Sequence, residues 1–210
     1  MWNRLCLLLA VLGTMMLIAC DGLPFQTPKP TVTPSPTLPL FDREAETYQI
    51  YRQEIQGWCS TGGPIAVDPE LPSHSASPPS YEYLDKDFHL NDIPAEFERE
   101  TYDDYIRDAS IEPFVLNQDY DFGLPIQYMS STEFRRLVDK AGGDESFNRA
   151  NPDYCGYVEL SRIGFNNTGT QALLFFGGHT TDKYCLETYY LLQKIDDSWS
   201  TVAESLQAIC

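Results

Sequence analysis

The chain has 210 residues and carries 14 lysines and arginines against 31 aspartates and glutamates, a formal charge of −17. So acidic a protein excludes nucleic acid as a partner, because binding a polyphosphate takes a cationic footprint that releases counterions. With three histidines (His74, His89, His179) and no C-x-x-C pair, the composition offers little to a metal or cofactor, and none is expected.

In chain order, Trp2, Asn3 and Arg4 precede an uncharged, mostly apolar run over residues 5–19 that ends in Cys20. About 15 apolar residues suffice for the core of a secretion signal and fall short of the roughly 20 that cross hydrocarbon as a helix. Leu17, Ile18, Ala19 and Cys20 resemble a lipobox. Residues 1–19 are therefore expected to be a lipoprotein signal peptide, with Cys20 the lipidated residue. Several acyl chains, palmitate among them, exceed the single-chain limit at which membrane binding is marginal. The mature protein is expected to stay outside the cytoplasm, held by lipid on the bacterial membrane or envelope. Loss of Arg4 leaves 13 basic residues against 31 acidic ones, a mature charge of −18.

Residues 21–40 interleave Pro24, Pro28, Pro30, Pro34, Pro36 and Pro39 with threonine and serine. Too little apolar surface is present to offset the ordering entropy, and the prolines favour an extended path. At about 3 Å per residue, residues 20–40 form a spacer reaching up to about 60 Å.

Residues 41–210 are long enough for one folded domain and short for two. Four cysteines remain there: Cys59, Cys155, Cys185 and Cys210. Outside the cytoplasm an even number predicts two disulfides, with three pairings open and Cys185 able to lie near Cys155 or Cys210. Asp42 is a candidate N-cap for a helix over 43–56, since Tyr48, Tyr51, Ile55 and Trp58 recur at helical spacing. A short strand follows at 65–67, then a loop rich in Gly, Pro and Ser that contains His74. Thr101 and Asp104 suggest a capping box opening a short helix through Tyr105 and Ile106. Ser130 and Glu133 repeat that signature before Phe134, Leu137 and Val138, and Gly142 with Gly143 ends the helix.

Four β-rich runs follow at 157–165, 170–176, 187–194 and 199–203, separated by the turn residues Asn166, Asn167 and Gly169, then Gly177 and Gly178, then Asp196 and Asp197. Their short connections predict an α+β fold: a four-stranded antiparallel meander at the C-terminal end, with the N-terminal and central helices packed on one face.

The run LSRIGFNNTGTQALLFF over 160–176, with Tyr189, Tyr190, Leu191, Leu192 and Trp199, resembles a family of uncharacterised bacterial secreted and lipid-anchored proteins. Weaker similarity continues through Glu100, Thr101, Asp104 and Tyr105 and through 128–133. The resemblance implies a shared fold and brings no activity and no catalytic residues.

Ser161 beside Arg162 lacks a G-x-S-x-G elbow and a histidine nearby in sequence, so a structural role is expected, with Arg162 paired to a carboxylate. His179, Asp182 and Cys185 could converge on a metal only at the expense of a disulfide. Asn117, Asp119, Asp121 and Gly123 resemble a calcium loop weakly, since Phe122 stands where glycine belongs and Tyr128 where glutamate does. Asp68 follows a strand, a frequent place for a catalytic acid and equally for a turn. Asn166 begins an Asn-x-Thr triplet without an expected role. With no assembled catalytic set, the expectation is a non-catalytic extracytoplasmic binding or interaction domain whose partner is a protein or small molecule. The alternatives are a hydrolase using carboxylates such as Asp68, Asp104 or Glu159, and a calcium-stabilised adhesion-like domain.

Overall fold

In a computed structural model, residues 41–71, 78–89, 96–109, 114–179 and 185–209 are described. They belong to the second of the chain's two compact units, which spans Leu40–Cys210. The signal, Cys20 and the spacer lie outside the described residues, as do His74, Asp182 and Cys210.

Helix α1 runs Arg43–Trp58, opened by Asp42, whose side chain accepts a hydrogen bond from the Ala45 amide at 3.2 Å. Its stripe of Tyr48, Tyr51 and Ile55 is buried, as the helical spacing predicts. After α1 come strands β1 (Ile65–Val67) and β2 (Glu70–Leu71), then helices α2 (Tyr81–His89) and α3 (Arg99–Ala109). Strands β3 (Phe114–Val115) and β4 (Ile126–Tyr128) lead into helices α4 (Ser131–Lys140) and α5 (Asp144–Ala150). The chain finishes through β5 (Tyr157–Leu160), β6 (Gly164–Phe165), β7 (Gln171–His179), β8 (Cys185–Ile195) and β9 (Ser198–Ile209).

The fold is α+β, with a mostly antiparallel mixed sheet in the order β4-β1-β5-β7-β8-β9 and β6 also paired to β7. The sheet is wider than four strands, because β1 joins β5 and β4 in parallel register at one edge. Strands β2 and β3 form a separate two-stranded pair. The run expected as one strand over 157–165 is two, interrupted at Ser161. There the Phe175 amide donates to the Ser161 hydroxyl at 2.9 Å, so a side chain stands in for a backbone acceptor in the ladder. The β8–β9 connection turns through Asp196 and Asp197, both at positive φ, as a tight two-residue hairpin requires.

Helices lie on both faces of the sheet, against the one-face expectation. Leu174, Phe176 and Leu192 pack with Tyr48, Tyr51 and Ile55 of α1. Their neighbours Leu173, Phe175, Tyr189 and Leu191 pack with Leu84, Phe88 and Tyr105 of α2 and α3. Successive strand residues point to opposite faces, so α1 covers one side and α2 and α3 the other. Helices α4 and α5 share the latter side, with Phe134, Val138 and Phe147 packed on Ala66 and Tyr157. The physical reason is the middle of β7, where every residue from Gln171 to Gly178 is buried. Its Ala-Leu-Leu-Phe-Phe run is continuous rather than alternating, which is how a strand buried on both faces reads.

Capping differs between the two expected boxes. At α4 it is present as predicted: Ser130 accepts from the Glu133 amide and Glu133 accepts from the Ser130 amide. At α3 it is absent, because Thr101 and Asp104 lie inside the helix. Thr101 is fully buried and donates to Gln171 at 3.0 Å, so tertiary contacts have taken the groups a cap would have used. Helices α2 and α5 were not anticipated from the sequence. The local signals for α2 are Ser80, which accepts from the Tyr83 amide, and the buried pair Leu84 and Phe88.

Candidate functional site: a groove at the Gly177 end of the sheet

On the face shared by α2, α3, α4 and α5 the side chains of adjacent strands form a row. Glu159 on β5 lies opposite Gly177 on β7, which lies opposite Glu187 on β8. Asp68 follows β1 beside this row, its amide bonded to the Val158 carbonyl at 3.0 Å. Glycine in the middle leaves a gap between two carboxyl side chains. A Cβ at Gly177 would come within 2.7 Å of Glu159 Cγ and 2.8 Å of its Oε1, so the gap depends on the missing side chain.

The gap opens into a groove of two adjoining lobes. One, of 260 Å³, is lined by Glu159, Gly177, Glu187, Tyr157, His179 and Ser131. The other, of 380 Å³, shares Ser131, Tyr157 and His179 and adds Thr132, Arg135 and Arg136 from the start of α4. Tyr157 is held rigidly, its ring stacked on Phe134 at 5.5 Å and its hydroxyl donating to Asp68 Oδ2 at 2.8 Å. The other Asp68 oxygen accepts from the Glu70 amide at 3.0 Å, so this residue makes its turn and holds Tyr157 from behind the groove wall.

The electrostatics follow from this packing. Burial raises the pKa of Glu159 above the ordinary glutamate range, and the nearby Asp68 and Glu187 charges raise it further, against a lowering contact from Tyr157. Burial, with help from Arg135, lowers that of His179, opposed by Asp144 and Glu187. Burial and the bond to Asp68 push the Tyr157 phenol up. The groove thus sets an imidazole and a phenol that are neutral at neutral pH beside a glutamate whose pKa burial and neighbouring acids raise.

The residues singled out in the sequence do not assemble in one place. Asp68 and Glu159 come within electrostatic range of each other in the groove. Asp104 is far from it in role: it accepts from Arg43 at 2.7 Å, from Arg107, and from the Phe165 amide at 2.7 Å. Ser161 is buried and donates to the Arg162 carbonyl at 2.7 Å. Arg162 lies over the Phe114 ring at 5.3 Å and lines a different cleft of 340 Å³ with Arg43, Tyr48, Tyr51 and Phe114. Most polar atoms of that cleft are engaged, with Arg43 salt-bridged to Asp104 and Asp108 and the Tyr51 hydroxyl donating to the Ser161 carbonyl.

The faint calcium loop is built from turns: Asn117 accepts from the Asp119 amide and Asp121 from the Gly123 amide. Among the described residues no group of three or more His, Cys, Asp or Glu side chains could hold a metal ion. Cys185 is disulfide-bonded and so offers no thiolate, while Cys59 is joined to Cys155 with Cα atoms 5.3 Å apart. His89 is exposed beside Asp85 on α2. Asn166 is buried in a turn, where it bonds Glu98, Thr170 and Gln171, which leaves its triplet without access.

Tyr157, His179, Ser131 and Glu187 are groove residues that sequence reading missed as a set. Each was visible singly, but only the register aligns Glu159, Gly177 and Glu187. Searches against family models, curated proteins and solved structures match nothing to this chain.

Proposed function

We propose that this protein is a lipid-anchored extracytoplasmic binding domain whose ligand site is the groove at Gly177. The observation that carries the reading is the pairing of Glu159 and Glu187 across a glycine-made gap, where the charges that reach Glu159 are both negative. Glu159 is half-buried and Glu187 exposed; like charges set side by side repel one another, and a ligand supplying hydrogen-bond donors relieves that repulsion. The anchor remains an inference from Cys20 and the spacer, compatible with the fact that no described helix is long and apolar enough to cross a membrane. Phe41, where the spacer would meet the domain, packs on Phe165. Trp58, at the other end of α1, packs on Phe176 close to Gly177.

The test is calorimetric titration of the detergent-solubilised full chain with small polar ligands, parent against Glu187→Gln. Binding that is lost in the variant at unchanged melting temperature supports the groove; binding that survives intact points elsewhere. For the anchor, Cys20→Ala should move the protein from the detergent phase to the aqueous phase.

One observation favours a second reading. A carboxyl whose pKa is raised by burial and neighbouring acids, beside a second acid, is an arrangement that carboxylate-dependent hydrolases use. Turnover of a glycoside or peptide substrate that disappears in Glu159→Gln would establish that reading over simple binding.

A further inference from the structure

The two lobes of the groove carry opposite charge, and this narrows the ligand. One lobe has Glu159 and Glu187, with Asp68 behind Tyr157. The other has Arg135 and Arg136. Arg135 keeps one long ion pair, 4.0 Å to Asp144, and is more than half exposed. The same lobe receives the N-terminus of α4, a helix of 10 residues whose first residues Ser131 and Thr132 line the wall. That N-terminus is closed by the Ser130–Glu133 capping box, and Glu133 lies within electrostatic range of Arg136, so the positive character of the lobe rests on the two guanidinium groups. Between the lobes stand Ser131, Tyr157 and His179, which line both. These are neutral hydrogen-bonding groups, since burial lowers the His179 pKa and raises that of Tyr157.

A simple cation would leave the arginine lobe unused and a simple anion would meet the two glutamates. A neutral sugar would use the middle and neither end. We propose, resting on the reading of the groove as the binding site, that it takes a short zwitterionic peptide. The terminal ammonium lies in the Glu159–Glu187 lobe, the terminal carboxylate lies in the Arg135–Arg136 lobe, and the peptide group faces Ser131, Tyr157 and His179. The lobe volumes, 260 and 380 Å³, are of the size that holds such small ligands, about 300–1,000 Å³ for a whole pocket. An ammonium ion would also favour the charged form of Glu159, so binding should release a proton from this carboxyl at pH values below its raised pKa.

Full-length protein is titrated with three probes: alanyl-alanine, its N-acetyl form and its C-terminal amide. The expected result is that the free dipeptide binds and that each blocked form binds about ten- to a hundredfold more weakly, the consequence of losing one charge-assisted set of hydrogen bonds. Glu159→Gln with Glu187→Gln should erase the discrimination against the N-acetyl form alone. Arg135→Gln with Arg136→Gln should erase the discrimination against the amide alone. Equal binding of dipeptide and amide makes the groove a cation site and overturns the proposal, as does equal binding of dipeptide and N-acetyl form. No binding of any probe overturns it too, and spermidine or glucose run in parallel then shows whether the groove still binds something else. Binding of the free dipeptide that persists unchanged in both double variants overturns the groove reading itself. Because all four substitutions lie at the surface or at unrelieved charges, melting temperatures near the parent's separate lost binding from lost folding.

Discussion

At its Gln171 end, β7 sits in a set of buried polar groups that are satisfied many times over; at its His179 end it sits beside half-buried and exposed acids that line an open cleft. Gln171 donates to the Glu96 carbonyl at 2.8 Å and accepts from the Glu98 amide and Thr101. Asn166 bonds Glu98 and Thr170 and accepts from two amides, and Asp104 ties α3 to Arg43 and to β6. Gly164 belongs to the same end: a Cβ there would lie 2.5 Å from the Thr101 carbonyl oxygen and the Tyr105 amide, so α3 needs glycine to pack against β6. The groove end instead has the Glu159 side chain lying over Gly177, with Glu187 on the far side of the glycine. The difference teaches how to read the recognisable string over 160–176. Ser161, Gly164, Asn166 and Gln171 stand out because they build the fold, and the residues that can meet a ligand are mostly outside that string.

That contrast can be broken by substitution, and the largest effects should fall at the saturated end. Asp104→Asn leaves Arg43 and Arg107 without their shared carboxylate, in a place where the Asp104 side chain is 10% exposed. It should cost about 2–4 kcal/mol, read as a fall in the urea midpoint, since it takes the charged acceptor from the buried Phe165 amide, while the part-exposed Arg43 and the exposed Arg107 both keep Asp108. Next comes the Cys59–Cys155 bond, which closes 96 residues of chain. Its replacement by two serines should cost about 2–4 kcal/mol, with reduction of the parent converging on the same value. Peptide mapping of the oxidised protein should in addition place Cys185 with Cys210, because Leu186 pairs with Ile209 and Cys210 is the next residue along the chain.

Ser161→Ala removes the hydroxyl that accepts the Phe175 amide and should cost about 1–3 kcal/mol in a thermal melt. Ligand affinity at the groove should not change, and a loss of binding without a loss of stability would show that the two ends are less independent than their bonding implies. The smallest effect has the opposite sign. Burial and neighbouring acids raise the Glu159 pKa in the folded state, so the folded protein holds this proton more tightly than the unfolded chain. The associated stability is complete below the unfolded glutamate value and is lost as pH rises through the raised one. Glu159→Gln, neutral at every pH, should therefore melt like the parent in acid and above it at neutral pH. The gain should be no more than about 1 kcal/mol because the groove is open to solvent. A variant that melts below the parent at neutral pH would mean that Glu159 is a structural partner like Asp104.

Much of the architecture was legible one segment at a time. Asp42 and the Tyr48, Tyr51, Ile55 stripe fixed α1, and Ser130 with Glu133 fixed the start of α4, because capping and helical periodicity involve residues within a turn of one another. Asp196 and Asp197 marked the β8–β9 hairpin for the same reason, whereas Gly177 and Gly178, expected as turn residues, lie inside β7 and pair with β5 and β8. Thr101 and Asp104 misled, since the same residue types that cap a helix can also be buried within one when a distant Gln171 or Arg43 takes their bonds. The second helical layer was signalled weakly by the unbroken apolar run in β7 and was overlooked in favour of the simpler one-face sheet. The groove was not legible. Asp68, Glu159, Gly177 and Glu187 are separated by many residues and share no motif, and a shift of one residue in the pairing of β5, β7 or β8 would send their side chains to opposite faces. Local chemistry in the chain determined which elements form and where they end; strand register, a property of the assembled sheet alone, decided which side chains face one another across the glycine.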